Sequence, residues 1–207
     1  MKLYLSSYRI PHIASLETIL GKKLTETTIA FIPNAKDYYS RLAWEYKVKN
    51  YVNYFRSHGS KVVIVDLKDH TDGNALKSVL SKVDLIWAAG GNAFCLRYEM
   101  KRSKFQDVIN ELLAEGKVYG GDSAGAIVAG LSLKGVESAD NPGLAQEILQ
   151  DGLKLVPYVI LPHADSPEFS DAVKITQSIH KHVNNIIELK NNQVAVFTNG
   201  EYDLISN

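Results

Sequence analysis

The stretch Gly121-Asp122-Ser123-Ala124-Gly125 follows the pattern G-x-S-x-G. A serine in that setting can act as a nucleophile when it sits on a sharp turn between a strand and a helix, because the turn lifts its hydroxyl clear of the backbone. The turn leaves no space for a side chain two residues before or after it, which glycine at 121 and 125 satisfies. Just beyond, the N–H of Ala124 opens a helix, where the dipole and the unpaired donors favour a developing oxyanion. A tight glycine turn with a capping serine would share the pattern, so the serine needs partners to mean anything chemically.

A second glycine turn, Gly90-Gly91-Asn92-Ala93-Phe94, also follows an apolar run. Paired glycines let the backbone approach a ligand closely, so the N–H of Gly91 or Asn92 would be the second oxyanion donor. Asn92 is equally suited to cap a helix. Of the six histidines, His163 closes the run YVILP and so belongs at a strand end. An imidazole with an ordinary pKa of about 6.5 suits proton transfer at neutral pH. His180 and His182 lie on a polar helix beside Lys181, His58 precedes Gly59, and His12 and His70 lie in polar loops, so these five are expected at the surface.

Short apolar or β-branched runs alternate with longer stretches of helical spacing, which predicts an α/β protein. Strands are expected at 3–6, 28–33, 61–67, 83–89, 117–121, 158–161 and 193–197, with a further one at 202–205. Helices are expected at 40–57, 73–81, 105–115, 124–130 and 167–183, with Gly59 and Gly116 closing two of them. Runs such as VVIV and DLIWAA are apolar on both faces, as required when helices cover a parallel sheet on each side. The crevice of such a sheet lies at the carboxyl ends of its strands, and the turns at Pro33, Gly90, Gly121 and Pro162 should share that edge. In the helix at 40–57, Trp44, Tyr51, Tyr54 and Phe55 fall near helical spacing and read as its core stripe.

At 207 residues the chain fits one domain, 1–207, and can bury a sizeable core without cross-links. Twenty-three Lys and Arg balance twenty-three Asp and Glu, so no basic field exists for nucleic acid or a membrane surface. The single cysteine, Cys95, excludes an intramolecular disulfide and reads as a small buried apolar residue. No signal peptide or transmembrane run is read at the N-terminus or elsewhere, so a cytoplasmic location is expected. No metal or organic cofactor is expected, and the oligomeric state is left as monomer or homodimer.

Four segments together carry a family resemblance: FIPNA at 31–35, GGNAF at 90–94, GDSAGA at 121–126 and LPHADSPEF at 161–169. In that order they resemble the dipeptidase E, or aspartyl dipeptidase, family of serine peptidases, relatives of the cyanophycinases. The resemblance implies a three-layer α/β sandwich with a mostly parallel, flavodoxin-like sheet of the class I glutamine amidotransferase kind. It implies Ser123 as nucleophile, His163 as general base and oxyanion donors at Gly91 and Ala124, acting on dipeptides whose first residue is aspartate. The family's third triad member, a glutamate before a glycine at the end of a late strand, has its counterpart in Phe197-Thr198-Asn199-Gly200-Glu201. Asn199 holds the expected place, Glu201 would serve if the turn shifts by two residues, and Asp140 lies where the family has an important aspartate. Arg97, just after GGNAFC, reads either as a solvated arginine on a helix surface or as the cation that would meet an acidic substrate. The rival reading is a non-catalytic binding protein that has kept the crevice and lost the triad acid.

Overall fold

The structure, a computed structural model, describes residues 1–182 and 185–206. Its main sheet has seven strands: β1 (Lys2–Ser6), β2 (Thr28–Ile32), β3 (Lys61–Ile64), β4 (Leu85–Ala88), β5 (Val118–Asp122), β8 (Gln193–Thr198) and β9 (Glu201–Ser206), in the order β3-β2-β4-β5-β1-β8-β9. The first five are parallel, whereas β8 runs antiparallel to β1 and to β9. The helices are α1 (Ile13–Leu20), α2 (Arg41–Ser57), α3 (Gly73–Leu80), α4 (Ala93–Arg102), α5 (Phe105–Ala114), α6 (Ala124–Ile127) and α7 (Ser170–His180). The helix expected at 167–183 ends at His180, and Val183 lies outside the described residues.

Alternation along the strands divides the core into two layers. Leu3, Leu5, Ala30, Ile32, Ile86 and Ala88 point to the face covered by α3, α4, α5 and α6. Tyr4, Ile29, Phe31, Leu85 and Trp87 point to the face covered by α1 and α2. In α2 the buried residues Val48, Tyr51, Val52 and Phe55 fall at the i, i+3, i+4, i+7 spacing of a single helical face. Trp44 and Tyr54 pack at the margin of that layer, while Leu42 and Tyr46 face outward. β3 is short and largely exposed because it is an edge strand with a neighbour on one side only.

Two expectations need correction. The strand before His163, β6 (Val159–Leu161), does not join the main sheet; it pairs in parallel with β7 (Ile186–Glu188) in a separate two-stranded sheet. His180 is buried, not at the surface, with Nε2 hydrogen-bonded to the Lys134 carbonyl at 3.1 Å. The helix α1 also has no counterpart among the predicted ones; His12 caps it by accepting from the Ser15 N–H.

Candidate active site

β5 ends at Asp122 and α6 begins at Ala124, so Ser123 alone makes the turn between them. Its backbone sits at φ 50°, ψ −112°, a conformation that costs a non-glycine residue on the order of 1–3 kcal/mol. The surroundings hold it there: the Ser123 N–H donates to the Ser6 carbonyl at 3.1 Å, and its carbonyl accepts from Ala126 and Ile127. A Cβ on Gly125 would lie 2.1 Å from the Ala88 carbonyl oxygen, so the elbow closes against β4 only with glycine there.

The imidazole of His163 meets this hydroxyl, with Nε2 and Ser123 Oγ 2.9 Å apart. His163 reaches the crevice from the small sheet because its backbone N–H donates to Ser7 Oγ, just past the end of β1, at 2.8 Å. The Phe169 ring stacks on the imidazole, 4.5 Å between centroids and 20° between planes, which fixes the ring's plane.

The other ring nitrogen, Nδ1, lies 2.7 Å from Asn191 Oδ1 and 3.2 Å from Ser7 Oγ. An amide oxygen only accepts, so this contact places the proton on Nδ1 and leaves Nε2 free to accept from Ser123. Asn191 is itself held: its N–H donates to Asp165 Oδ1 at 2.9 Å, and the Ser7 hydroxyl donates to its Oδ1 at 3.3 Å.

Neither Glu201 nor Asn199 fills this position. Because β8 is antiparallel to β1, its start lies at the crevice and its end at the far side, with Ser6 paired to Val194 and Lys2 to Thr198. At about 3.3 Å per residue, the turn at Asn199, five residues beyond Val194, sits roughly 16 Å from the crevice edge. Asp140 is nearer, lining a small apolar cleft with Ser123, His163, Leu161 and Phe169. However, its carboxylate accepts from the Ala93 N–H at 2.8 Å, and His163 Nδ1 is already engaged by Asn191. Burial pushes the Asp140 carboxyl up to about 6, partly offset by the Ala93 hydrogen bond.

The crevice holds about 500 Å³ and is lined by Lys36, Tyr51, Gly90, Gly91, Ser123 and His163, among others. A Cβ at Gly90 would touch Ser123 Cβ at 3.1 Å, so the glycine turn lies directly beside the elbow. Gly91 has φ +146°, and a Cβ there would stand 2.2 Å from the Ala35 carbonyl oxygen. Among the described residues, the N–H groups of Gly91 and Ala124 donate to no protein acceptor, whereas the Asn92 N–H is committed to Ala35 at 2.7 Å. The Asn92 side chain caps α4 by accepting from the Cys95 N–H at 3.0 Å, so Asn92 contributes to the turn's shape, not a free donor.

Arg97 does not face the crevice. It is buried on α4, with Nε donating to the Asp151 carbonyl and Nη2 to Gln106. Cations near the crevice include Lys36, in its lining, Arg9, whose guanidinium lies over the rings of Tyr8, Tyr51 and Tyr54, and Lys47, whose Nζ lies 4.4 Å from the Tyr39 ring centre. Sequence reading had no signal for Ser7, Asn191 or Asp122. Asp122 is buried beneath the elbow, accepting from Tyr51 Oη at 2.6 Å and Trp87 Nε1 at 2.9 Å. Burial, reinforced by Asp122, pushes the Tyr51 phenol well up, so it stays protonated as a donor. Cys95 is buried, and its thiol is pushed up to about 11 by burial, so it is no competing nucleophile. Among the described residues no cluster of three or more His, Cys, Asp or Glu side chains could hold a metal ion. Among the described residues, too, no helix is long and apolar enough to cross a membrane.

Comparison with known proteins agrees with this architecture. Residues 6–205 match Peptidase family S51. An uncharacterized peptidase of Listeria innocua is 32% identical over 175 residues, covering 81% of this chain and 77% of that one. Peptidase E of Haemophilus influenzae is 36% identical over 137 residues, covering 66% of this chain and 57% of its own length. A crystal structure from Listeria monocytogenes EGD-e, described as a candidate peptidase E, superposes over 100% of this chain and 98% of its own with TM-score 0.82 at 26% identity. The chain therefore belongs to peptidase family S51, the serine peptidases of the dipeptidase E type.

Proposed function

We propose that this peptidase cleaves dipeptides whose first residue is aspartate, through a Ser123–His163–Asn191 triad and an acyl-enzyme. The observation that carries the reading is the 2.9 Å contact between His163 Nε2 and Ser123 Oγ at the floor of an open crevice. Ser123 Oγ attacks the peptide carbonyl while His163 Nε2 takes its proton. The oxyanion that forms is received by the N–H groups of Gly91 and Ala124. The tetrahedral intermediate collapses as His163 returns the proton to the departing amine. Water, deprotonated by the same imidazole, then attacks the acyl-enzyme, and the imidazolium returns that proton to Ser123 Oγ as the acyl–oxygen bond breaks and the amino acid leaves.

Asn191 holds Nδ1–H and so keeps Nε2 basic, the orienting part of a triad acid's role. It lacks the negative charge that would stabilise the imidazolium, as in Cys-His-Asn enzymes. Two features favour a short acidic substrate. The Asp140 carboxylate, in the cleft beside Ser123, would meet a free amino terminus. The Arg9 guanidinium enters no ion pair among the described residues and would meet the aspartate side chain at the crevice rim.

The test is a panel of Asp-Leu, Ala-Leu and N-acetyl-Asp-Leu incubated with the enzyme and with Ser123→Ala, products being separated by chromatography. Asp-Leu is expected to be split fastest, the acetylated peptide to survive, and the Ser123→Ala protein to be inert. Equal cleavage of Ala-Leu or of the blocked peptide would overturn the substrate assignment. Hydrolysis by Ser123→Ala would overturn the mechanism.

A further inference from the structure

We infer that Lys36 is a positioning residue for the oxyanion site, acting through the Gly90–Gly91 peptide. Its Nζ donates to the Gly90 carbonyl at 2.5 Å, from a side chain only 6% exposed. That carbonyl and the Gly91 N–H belong to one peptide unit, and the chain has no cis peptide among its described residues. In a trans peptide the oxygen and the hydrogen point in opposite directions. An ammonium behind the oxygen therefore pulls electron density away from the N–H that faces the other way. Chained hydrogen bonds polarise one another in this manner, and the low dielectric of a buried site strengthens the effect.

The same contact fixes the peptide's orientation. Gly91 sits at φ +146°, with freedom that a residue bearing a side chain would lack, so the peptides beside it need external restraint. Two bonds from one short helix, Asn34–Lys36, supply it. The Ala35 carbonyl accepts from the Asn92 N–H at 2.7 Å on one side of Gly91, and Lys36 Nζ holds the Gly90 carbonyl on the other. That helix is itself pinned, since Asn34 Nδ2 donates to Asp37 and Asp66 and its Oδ1 accepts from the Leu67 N–H.

A lysine buried this deeply is costly as a cation. The groups facing it are Asp122 of β5, Tyr51 and Lys47 of α2, and Arg9 in the loop after β1; Nζ lies 4.7 Å from the Tyr51 ring centre. Burial brings the ammonium down to about 8, against the pull of Asp122, so it remains largely protonated at neutral pH and loses its charge just above.

The inference rests on the proposed serine mechanism, and the experiment separates the two. Steady-state hydrolysis of Asp-Leu is measured from pH 6 to pH 10 for the wild type, Lys36→Met and Ser123→Ala, with melting temperatures as a check on folding. Removing a whole oxyanion donor costs about 10²–10³ in kcat, and weakening one is expected to cost about 10–100-fold. Lys36→Met should thus lose that much kcat with KM within about threefold of wild type, and should lack the alkaline fall in kcat that the wild type shows above about pH 8. A wild-type kcat in Lys36→Met, or a raised KM with kcat intact, overturns the role. Should Lys36→Met fail to fold, a wild-type kcat that stays level to pH 10 overturns it equally. If Ser123→Ala retains activity the mechanism itself fails; if only Ser123→Ala is dead and Lys36→Met is unimpaired, the mechanism stands without Lys36.

Discussion

Asn191 Oδ1 lies 2.7 Å from His163 Nδ1, so an amide and not a carboxylate orients the imidazole that faces Ser123. The contact is short, and Asn191 is tethered from its own backbone by Asp165 and through its oxygen by Ser7. The ring is therefore held in one tautomer without a charge beside it.

Replacing the amide by a carboxylate tests this arrangement. A neighbouring negative charge favours the protonated ring and raises its pKa by about 1–3 units. Asn191→Asp should therefore move the acid limb of the kcat/KM profile to higher pH, and above that limb raise kcat by better stabilising the imidazolium. Asn191→Ala, which leaves Nδ1–H without its acceptor, should lower kcat by about 10–100-fold. An acid limb at the same pH in wild type and Asn191→Asp would show that the side chain does not face the ring in solution.

Ser7 is expected to act through position. It accepts from the His163 N–H at 2.8 Å and donates to Asn191, joining the small sheet to the end of β1. Ser7→Ala leaves a partly buried N–H without an acceptor, costing about 1–3 kcal/mol of stability. It should lower kcat with little change in KM, both readable from steady-state kinetics alongside a urea titration.

Charge at Arg9 should decide between substrates. The loss of one charge-assisted contact is worth about 1.5–3 kcal/mol, or roughly 10–100-fold in kcat/KM. Arg9→Met should show that fall for Asp-Leu and stay within about threefold of wild type for Ala-Leu. A parallel fall for both peptides would assign Arg9 a purely structural role.

Two buried groups give the protein a pH-dependent stability with opposite signs. The Asp140 carboxyl is raised from its usual 3.8 to about 6 by burial, so the folded state binds the extra proton and stability falls as pH rises from about 4 to 6. Lys36 is lowered from 10.5 to about 8, so the unfolded state holds the extra proton and stability rises between about 8 and 10.5. Denaturant midpoints across pH should lose the first slope in Asp140→Asn and the second in Lys36→Met. Lys36→Met should therefore show a flat stability profile between about pH 8 and 10.5 while turning over more slowly.

Ser123 was legible because it follows a strand of the parallel sheet and because the elbow's glycines are sterically required, whereas His163 was legible only as the end of an apolar run, since the strand before it belongs to a different sheet. Asn191 was hidden for a specific reason. Alternation marks 193–197 as a strand but carries no sign of its direction, and the reversal of β8 exchanges the roles of the segments before and after it. With β8 parallel, Asn199 would have stood at the crevice; with β8 antiparallel, that place falls to the residues ahead of Gln193. Arg97 misled for a related reason: α4 is buried along most of its length, so no polar face shows which way its arginine turns. The membership of β6 in a separate sheet was equally invisible, since three apolar residues pair as readily with β7 as with a larger sheet.

On the proposed mechanism, Ser123 is a nucleophile made reactive by His163. Fluorophosphonate labelling followed by peptide mapping tests it without reference to any substrate. A single adduct on Ser123 is expected, absent from Ser123→Ala and formed at least about 10³-fold more slowly in His163→Ala. An adduct on another residue, or equal labelling of the wild type and His163→Ala, would contradict it.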